Sequence, residues 1–228
     1  MEIEFDTVYI GTLASHEIVF QQLLDIGIPN EKINDDFTLV WTKSRILFLE
    51  CFAKLIHKKG INGSVAEAGV FQGEYAKEIN RCFSDRTLYL FDTFNGFAEE
   101  DKKYEIKESH TGDIADYLKN TSKDLVMSKM RYPENVKIFE GIFPHSAHGI
   151  DDKFSYVNLD MDLYHPTVEG LRFFYPKMEI GGIITIHDFF SDAYPNVETA
   201  VFDFEKEYGE KLMIFPIGDD ISVGIIRY

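Results

Sequence analysis

The sequence predicts an open α/β domain: a mostly parallel seven-stranded sheet, helices on both faces, and a C-terminal antiparallel hairpin. Three observations carry this. Short β-branched apolar runs, such as residues 154–159 and 182–186, read as strands buried on both faces. Helical patterns alternate with such runs from residue 64 onwards, as crossover connections between parallel strands require. The last two runs, 212–217 and 221–226, are joined only by Gly218-Asp219-Asp220, so they pair antiparallel.

In chain order, residues 7–11 read as a short strand and 15–26 as a helix, stopped by Gly27-Ile28-Pro29. This strand–helix unit, residues 1–34, is taken as an N-terminal extension, and 35–228 as the main domain. Asp35 or Asp36 can cap a long helix ending at Gly60, with Ile46, Leu47, Leu49, Phe52, Ala53, Leu55 and Ile56 on its buried face. A strand at 64–68 precedes a helix at 73–83, and 88–91 and 136–139 are further strands. Between those two lies a polar stretch, 98–111, then a helical region over 113–130. Strand 154–159 leads to a helix at 167–175 with Pro166 near its start, and strand 182–186 to a helix at 197–208.

Composition narrows the function classes. The chain has 228 residues, 45% of them hydrophobic, enough for one domain with a buried core. Its 23 basic against 39 acidic side chains give a net charge of −16, which repels phosphate backbones and anionic membranes and favours a small-molecule substrate. Cys51 and Cys82 offer no disulfide framework and are expected as buried thiols. No run reaches the ~18 apolar residues of a membrane span, and the acidic start is unlike a signal peptide, so a cytoplasmic location is expected. The long aromatic helix offers a face for a homodimer.

Two strand runs end abruptly on charge: 154–159 on Asp160-Met161-Asp162, and 182–186 on His187-Asp188. Ligands of open α/β sheets sit at the carboxyl ends of the strands. Buried charge is costly unless it is paired or metal-bound, so this concentration marks a site. The turn from the strand at 64–68 carries Gly69, Val70, Phe71 and Gly73, where glycine permits tight geometry and close backbone approach to a ligand. The third glycine of a dinucleotide loop and the Lys-Ser/Thr of a P-loop are both missing. Glu67 instead precedes the turn; it would repel a pyrophosphate but can accept from an ammonium. Asp92 ends the next strand, where a carboxylate can take both hydroxyls of a ribose. Together the two acids point to S-adenosylmethionine.

The chain resembles the macrocin O-methyltransferase family, which methylates sugar hydroxyls using S-adenosylmethionine and a divalent metal. The resemblance lies in residues 65–74, in Asp92-Thr93-Phe94-Asn95-Gly96-Phe97, in Gly141-Ile142-Phe143-Pro144-His145-Ser146, and in Leu159-Asp160-Met161-Asp162-Leu163-Tyr164-His165-Pro166-Thr167. Tyr175-Pro176-Lys177 followed by Gly181-Gly182 fits too, and the similarity covers roughly 36–208. It implies a Rossmann-like class I methyltransferase fold, cofactor contacts from Thr93, Phe94, Gly141, Ile142 and Asp160 beside the glycine turn, and a sugar or glycoside acceptor. It also implies that Asp160 and the acid pair at the next strand end hold Mg²⁺ or Mn²⁺ and act in catalysis. Here that pair is His187-Asp188, and imidazole suits Mn²⁺, Fe²⁺ or Zn²⁺ better than Mg²⁺.

Two mechanisms stay open at this level. Either Asp160 and Asp188, with His187 or Asp162, hold a cation that lowers the acceptor's pKa, or no metal binds and His187 is the general base. A scaffold role on a methyltransferase fold is the non-enzymatic alternative. Trp41, Tyr164 and residues 104–110 are expected to shape a lid, His145 and His148 to lie near the adenine, and His165 to be a polar loop residue.

Overall fold

The parallel alternation is present, and it is built on two packed faces. A computed structural model describes residues 5–10, 16–105 and 117–228, with only the backbone of 16–18, 36–42 and 117. In chain order its elements are β1 (Val8–Tyr9), α1 (His16–Asp25), β2 (Ile33–Asn34), α2 (Asp36–Lys59), β3 (Ser64–Ala68), α3 (Ala76–Cys82), β4 (Leu88–Asp92) and α4 (Glu99–Lys102). There follow α5 (Lys123–Ser128), β5 (Val136–Glu140), β6 (Phe154–Leu159), α6 (Tyr164–Phe174), β7 (Met178–Ile186), α7 (Asn196–Tyr208), β8 (Met213–Pro216) and β9 (Val223–Ile226). The seven-stranded sheet runs β5-β4-β3-β6-β7-β9-β8, and β9 alone is reversed. β1 and β2 form a separate parallel pair.

Side chains alternate across the sheet, so each strand feeds both layers. Val65, Leu88, Leu90, Tyr156 and Ile183 pack against Leu49, Phe52 and Ile56 of α2 and Ile79 of α3. Phe91, Val157, Leu159 and Ile184 pack against Phe174 of α6 and Val201 of α7. Among the described residues no helix is long and apolar enough to cross a membrane.

Several expectations need correction. Leu47 and Leu55 of α2 are exposed, at 59% and 44%, because a 24-residue helix on a sheet buries a narrower stripe than its apolar content suggests. Cys51 shares that outward face and is exposed, and Cys82 is only half-buried, so neither is the expected buried thiol. The expected Asp35 cap occupies the N-cap position of α2 without a side-chain capping bond. α3 begins at Ala76 rather than Gly73, whose φ of 81° belongs to the turn. α6 begins at Tyr164, three residues early, with Pro166 in a first turn whose N–H groups need no helical partner. His165 therefore sits on a helix and not in a loop. In the described part of the expected helix over 113–130 there is a 3-10 turn (Tyr117–Lys119) and α5, and the described part of the polar stretch holds α4. Gly11, Ser15, the Trp41 side chain and residues 106–116 lie outside the described residues.

Candidate active site

Hydrogen bonding carries the sheet one residue beyond its strands and lines up the expected site. Gly141 donates to Asp92 O (2.9 Å), Gly69 to Phe91 O (2.9 Å), Asp160 to Ala68 O (2.8 Å) and His187 to Leu159 O (2.9 Å). Asp92, Gly69, Asp160 and His187 thus stand in one row across four neighbouring strand ends, with Gly141 one position further along past β5. The tightest approach is between Gly69 and Asp160: a Cβ on Gly69 would lie 1.8 Å from the Asp160 carbonyl oxygen. Gly69, at φ 84°, must be glycine because another strand end occupies its side-chain space.

Two rows deeper, Glu67, Asn158 and Thr185 are register partners on β3, β6 and β7, all facing α2. Polar groups buried there must be paired. Asn158 Nδ2 donates to Glu67 Oε1 (2.9 Å), and Thr185 Oγ1 donates to Asn158 Oδ1 (2.9 Å). The hydroxyls of Tyr156 and Tyr75 continue the chain at 3.0 and 2.7 Å. Glu67 is 1% exposed; burial first, then the nearby Asp160, pushes its carboxyl well above the usual range. Its Oε2 has no partner among the described residues.

Arg45 is the residue that sequence reasoning missed. Its α2 neighbours read only as an amphipathic helix, and its hydrogen-bond partners lie over 110 positions away. Its guanidinium lies 4.0 Å above the Tyr75 ring, and Nη2 donates to Asn158 Oδ1 (3.0 Å) and Asp160 Oδ2 (2.9 Å). The other Asp160 oxygen is 3.1 Å from His187 Nδ1, which also meets Asp188 Oδ2 at 2.6 Å. Burial opposes charge on Asp160, but His187 and Arg45 outweigh it and hold the carboxyl well below the usual range. Burial likewise opposes charge on His187, yet Asp160 and Asp188 push its pKa up to about 10. Asp162 faces Asp188 rather than capping α6; burial, then Asp188 and Asp160, raise its carboxyl well above normal.

Asp92 differs from expectation in emphasis. Its Oδ2 accepts from the amides of Val70 (2.7 Å) and Phe71 (2.8 Å), and its Oδ1 from that of Phe94 (2.7 Å). The carboxylate first organises two turns of backbone. Phe71, Phe94, Asp162 and Asp188 all have positive φ, between 47° and 63°, so strained backbone concentrates at this end of the sheet.

These residues surround one cavity of about 440 Å³. Glu67, Gly69, Val70, Phe71, Asp92, Thr93 and Gly141 line it together with Asp160, His187 and Asp188. Gly73, Phe94 and Ile142, also expected at the cofactor, are not in its wall. Tyr164, expected in the lid, and the exposed His145 and His148 stand outside it too. Besides Arg45, sequence reasoning missed Tyr75, Asp101 and Tyr194 in the wall; none carries a motif signal of its own.

Comparison with known proteins identifies the family. Residues 34–220 match the family model described as Macrocin-O-methyltransferase (TylF). The 8-demethyl-8-(2,3-dimethoxy-alpha-L-rhamnosyl)-tetracenomycin-C 4'-O-methyltransferase of Streptomyces olivaceus is 25% identical over 185 residues, 75% of this chain and 69% of that protein. The mycinamicin III 3''-O-methyltransferase of Micromonospora griseorubida is 24% identical over 165 residues, 67% of this chain and 64% of that protein. Among solved structures, the O-methyltransferase NovP superposes with a TM-score of 0.66 at 21% identity, covering 81% of this chain and 79% of its own. The calicheamicin methyltransferase CalS11 gives 0.63 at 15% identity, covering 99% and 98%. The structural likenesses carry the fold, and the family match carries the chemistry: this chain belongs to the macrocin-O-methyltransferase (TylF) family of S-adenosylmethionine-dependent O-methyltransferases.

Proposed function

We propose that this enzyme methylates a hydroxyl of a sugar or sugar-containing metabolite, with the cofactor on the Glu67–Asp92 side of the cavity and the acceptor beside Asp160, His187 and Asp188. One observation carries the proposal: the Gly69–Asp160 backbone contact puts the turn expected to hold the sulfonium directly against the acid cluster. The relatives' printed names, a rhamnosyl-tetracenomycin 4'-O-methyltransferase and a mycinamicin 3''-O-methyltransferase, support the sugar class.

The acid cluster suits a divalent cation. Ligand atoms of Asp160, His187 and Asp188 lie within 4.8 Å of one another. Three carboxylates crowd against two cationic side chains, and the raised Asp162 carboxyl registers that crowding. An imidazole among oxygens favours Mn²⁺ over Mg²⁺. Bound there, such an ion would supply Lewis acidity that lowers the pKa of the acceptor hydroxyl.

The chain's own groups do the rest. The unpartnered Glu67 Oε2 suits the cofactor's ammonium. Asp92 Oδ1 takes a single amide and keeps capacity for a ribose hydroxyl. Arg45 fixes Asp160 from behind, so its carboxylate stays ionised beside the acceptor. In transfer, the acceptor oxygen bonds to the methyl carbon as the carbon–sulfur bond breaks. Sulfur becomes neutral, and the hydroxyl proton passes to a carboxylate of the cluster. The metal-free alternative fares worse: Asp160 and Asp188 favour a proton on the His187 imidazole, which leaves it little capacity as a base.

The test is transfer of a labelled methyl group to a panel of nucleotide-linked rhamnoses and rhamnosides, with EDTA and with Mn²⁺ or Mg²⁺ restored. Transfer that EDTA abolishes and metal restores is the expected result. Full transfer in EDTA would remove the metal, and transfer to phenolic acceptors but to no sugar would remove the acceptor class.

A further inference from the structure

One acid of the cavity wall, Asp101, belongs neither to the motifs nor to the acid cluster. It lies on α4 and is 6% exposed. His165 Nδ1 lies 2.6 Å from its Oδ1, and Tyr104 stacks on the His165 ring, 4.2 Å between centroids and 13° from parallel. Its Oδ2 has no partner recorded among the described residues. Burial pushes the carboxyl up in spite of His165, as for a carboxylate short of donors.

Its placement says which ligand it faces. Asp101 is tied to the helices that follow β6 and β7, the strands of the acid cluster. The Glu105 carboxylate accepts from the Tyr164 amide at the start of α6 (2.7 Å) and from Asn196 Nδ2 at the start of α7 (2.7 Å). Phe97 and Tyr194 line the same cavity and meet edge to face, 6.4 Å between centroids. Tyr194 feels the cluster directly: burial, then Asp162, Asp188 and Asp160, raise its hydroxyl pKa. A fixed carboxylate beside aromatic rings is the chemistry that binds a pyranose, hydroxyls on the acid and C–H face on the rings.

We propose that Asp101, oriented by His165 and sharing the cavity wall with Phe97 and Tyr194, is the subsite that grips hydroxyls of the acceptor sugar away from the methylated position. This rests on the sugar-acceptor reading above. The test compares wild type with Asp101→Asn and His165→Gln, using labelled transfer to TDP-rhamnose, to its deoxy analogues and to the rhamnoside panel. Calorimetry with S-adenosylhomocysteine and thermal melting run alongside as controls of folding.

A hydrogen bond to a charged group contributes about 1.5–3 kcal/mol, so Asp101→Asn should raise the acceptor KM about tenfold or more. The kcat should hold within about threefold and S-adenosylhomocysteine affinity within about twofold; His165→Gln should give a smaller KM rise. Removing the gripped hydroxyl from the acceptor should weaken wild type and leave Asp101→Asn nearly unchanged. An unchanged acceptor KM in Asp101→Asn, with wild type methylating sugars, overturns the subsite alone. Loss of S-adenosylhomocysteine affinity instead would assign Asp101 to the cofactor's ribose and overturn it too. Wild type that methylates no sugar overturns the acceptor class and the subsite together.

Discussion

Replacing Gly69 with alanine should damage the fold before it damages binding. The new Cβ would sit 1.8 Å from the Asp160 carbonyl oxygen and 2.6 Å from its carbonyl carbon. Real contacts at Cβ essentially never fall under 3.0 Å, so the ends of β3 and β6 must part by more than about 1 Å. That movement strains two bonds, Gly69 to Phe91 (2.9 Å) and Asp160 to Ala68 (2.8 Å), each contributing about 1 kcal/mol. Holding alanine at φ 84° adds about 1–2 kcal/mol. The expected loss is roughly 3–4 kcal/mol, a fall in Tm of about 10 °C for a chain of this size. Urea denaturation without cofactor measures it. A loss of about 1 kcal/mol or less, with weakened S-adenosylhomocysteine binding, would refute the reasoning. Gly69 would then make room for the ligand and not for Asp160.

Other outcomes follow from the same contacts. Arg45→Met strips Asp160 of one partner and should cost about 3–5 kcal/mol in urea denaturation, because it leaves a buried carboxylate half-compensated. Asp92→Asn turns N–H toward at least one of three backbone amides, and should weaken S-adenosylhomocysteine binding about tenfold or more by calorimetry as the turns at Phe71 and Phe94 loosen. In EDTA, His187 is raised from 6.5 to about 10 by folding, so its contribution to stability is full below about pH 6.5 and lost as pH rises through 10. Denaturation midpoints of wild type should therefore fall between pH 7 and 10 relative to His187→Asn.

Much of this was legible because buried parallel strands have a plain signature. β6 occupies its expected residues, 154–159, and the charge following β6 and β7 marked the cavity's acid side. What stayed hidden was tertiary. Arg45 reads as one more polar residue of a long helix; only the closure of α2 over β3 and β6 brings it to Asp160, 115 residues away. Asn158 and Thr185 look like tolerated polar residues in apolar runs, and acquire meaning only as register partners of Glu67. β2 was too short to read, because two residues carry no period. His165 was misplaced because Pro166 reads as a helix start, although proline fits anywhere in a first turn.

The central claim is that Asp160, His187 and Asp188 form a cation site on the acceptor side of the methyl-transfer cavity. Titration of the chelator-stripped protein with Mn²⁺, followed by electron paramagnetic resonance, tests it without reference to turnover. The account predicts one bound ion per chain in wild type and none in an Asp188→Asn variant of unchanged S-adenosylhomocysteine affinity. No bound Mn²⁺ in a wild-type protein that still transfers methyl groups would contradict it.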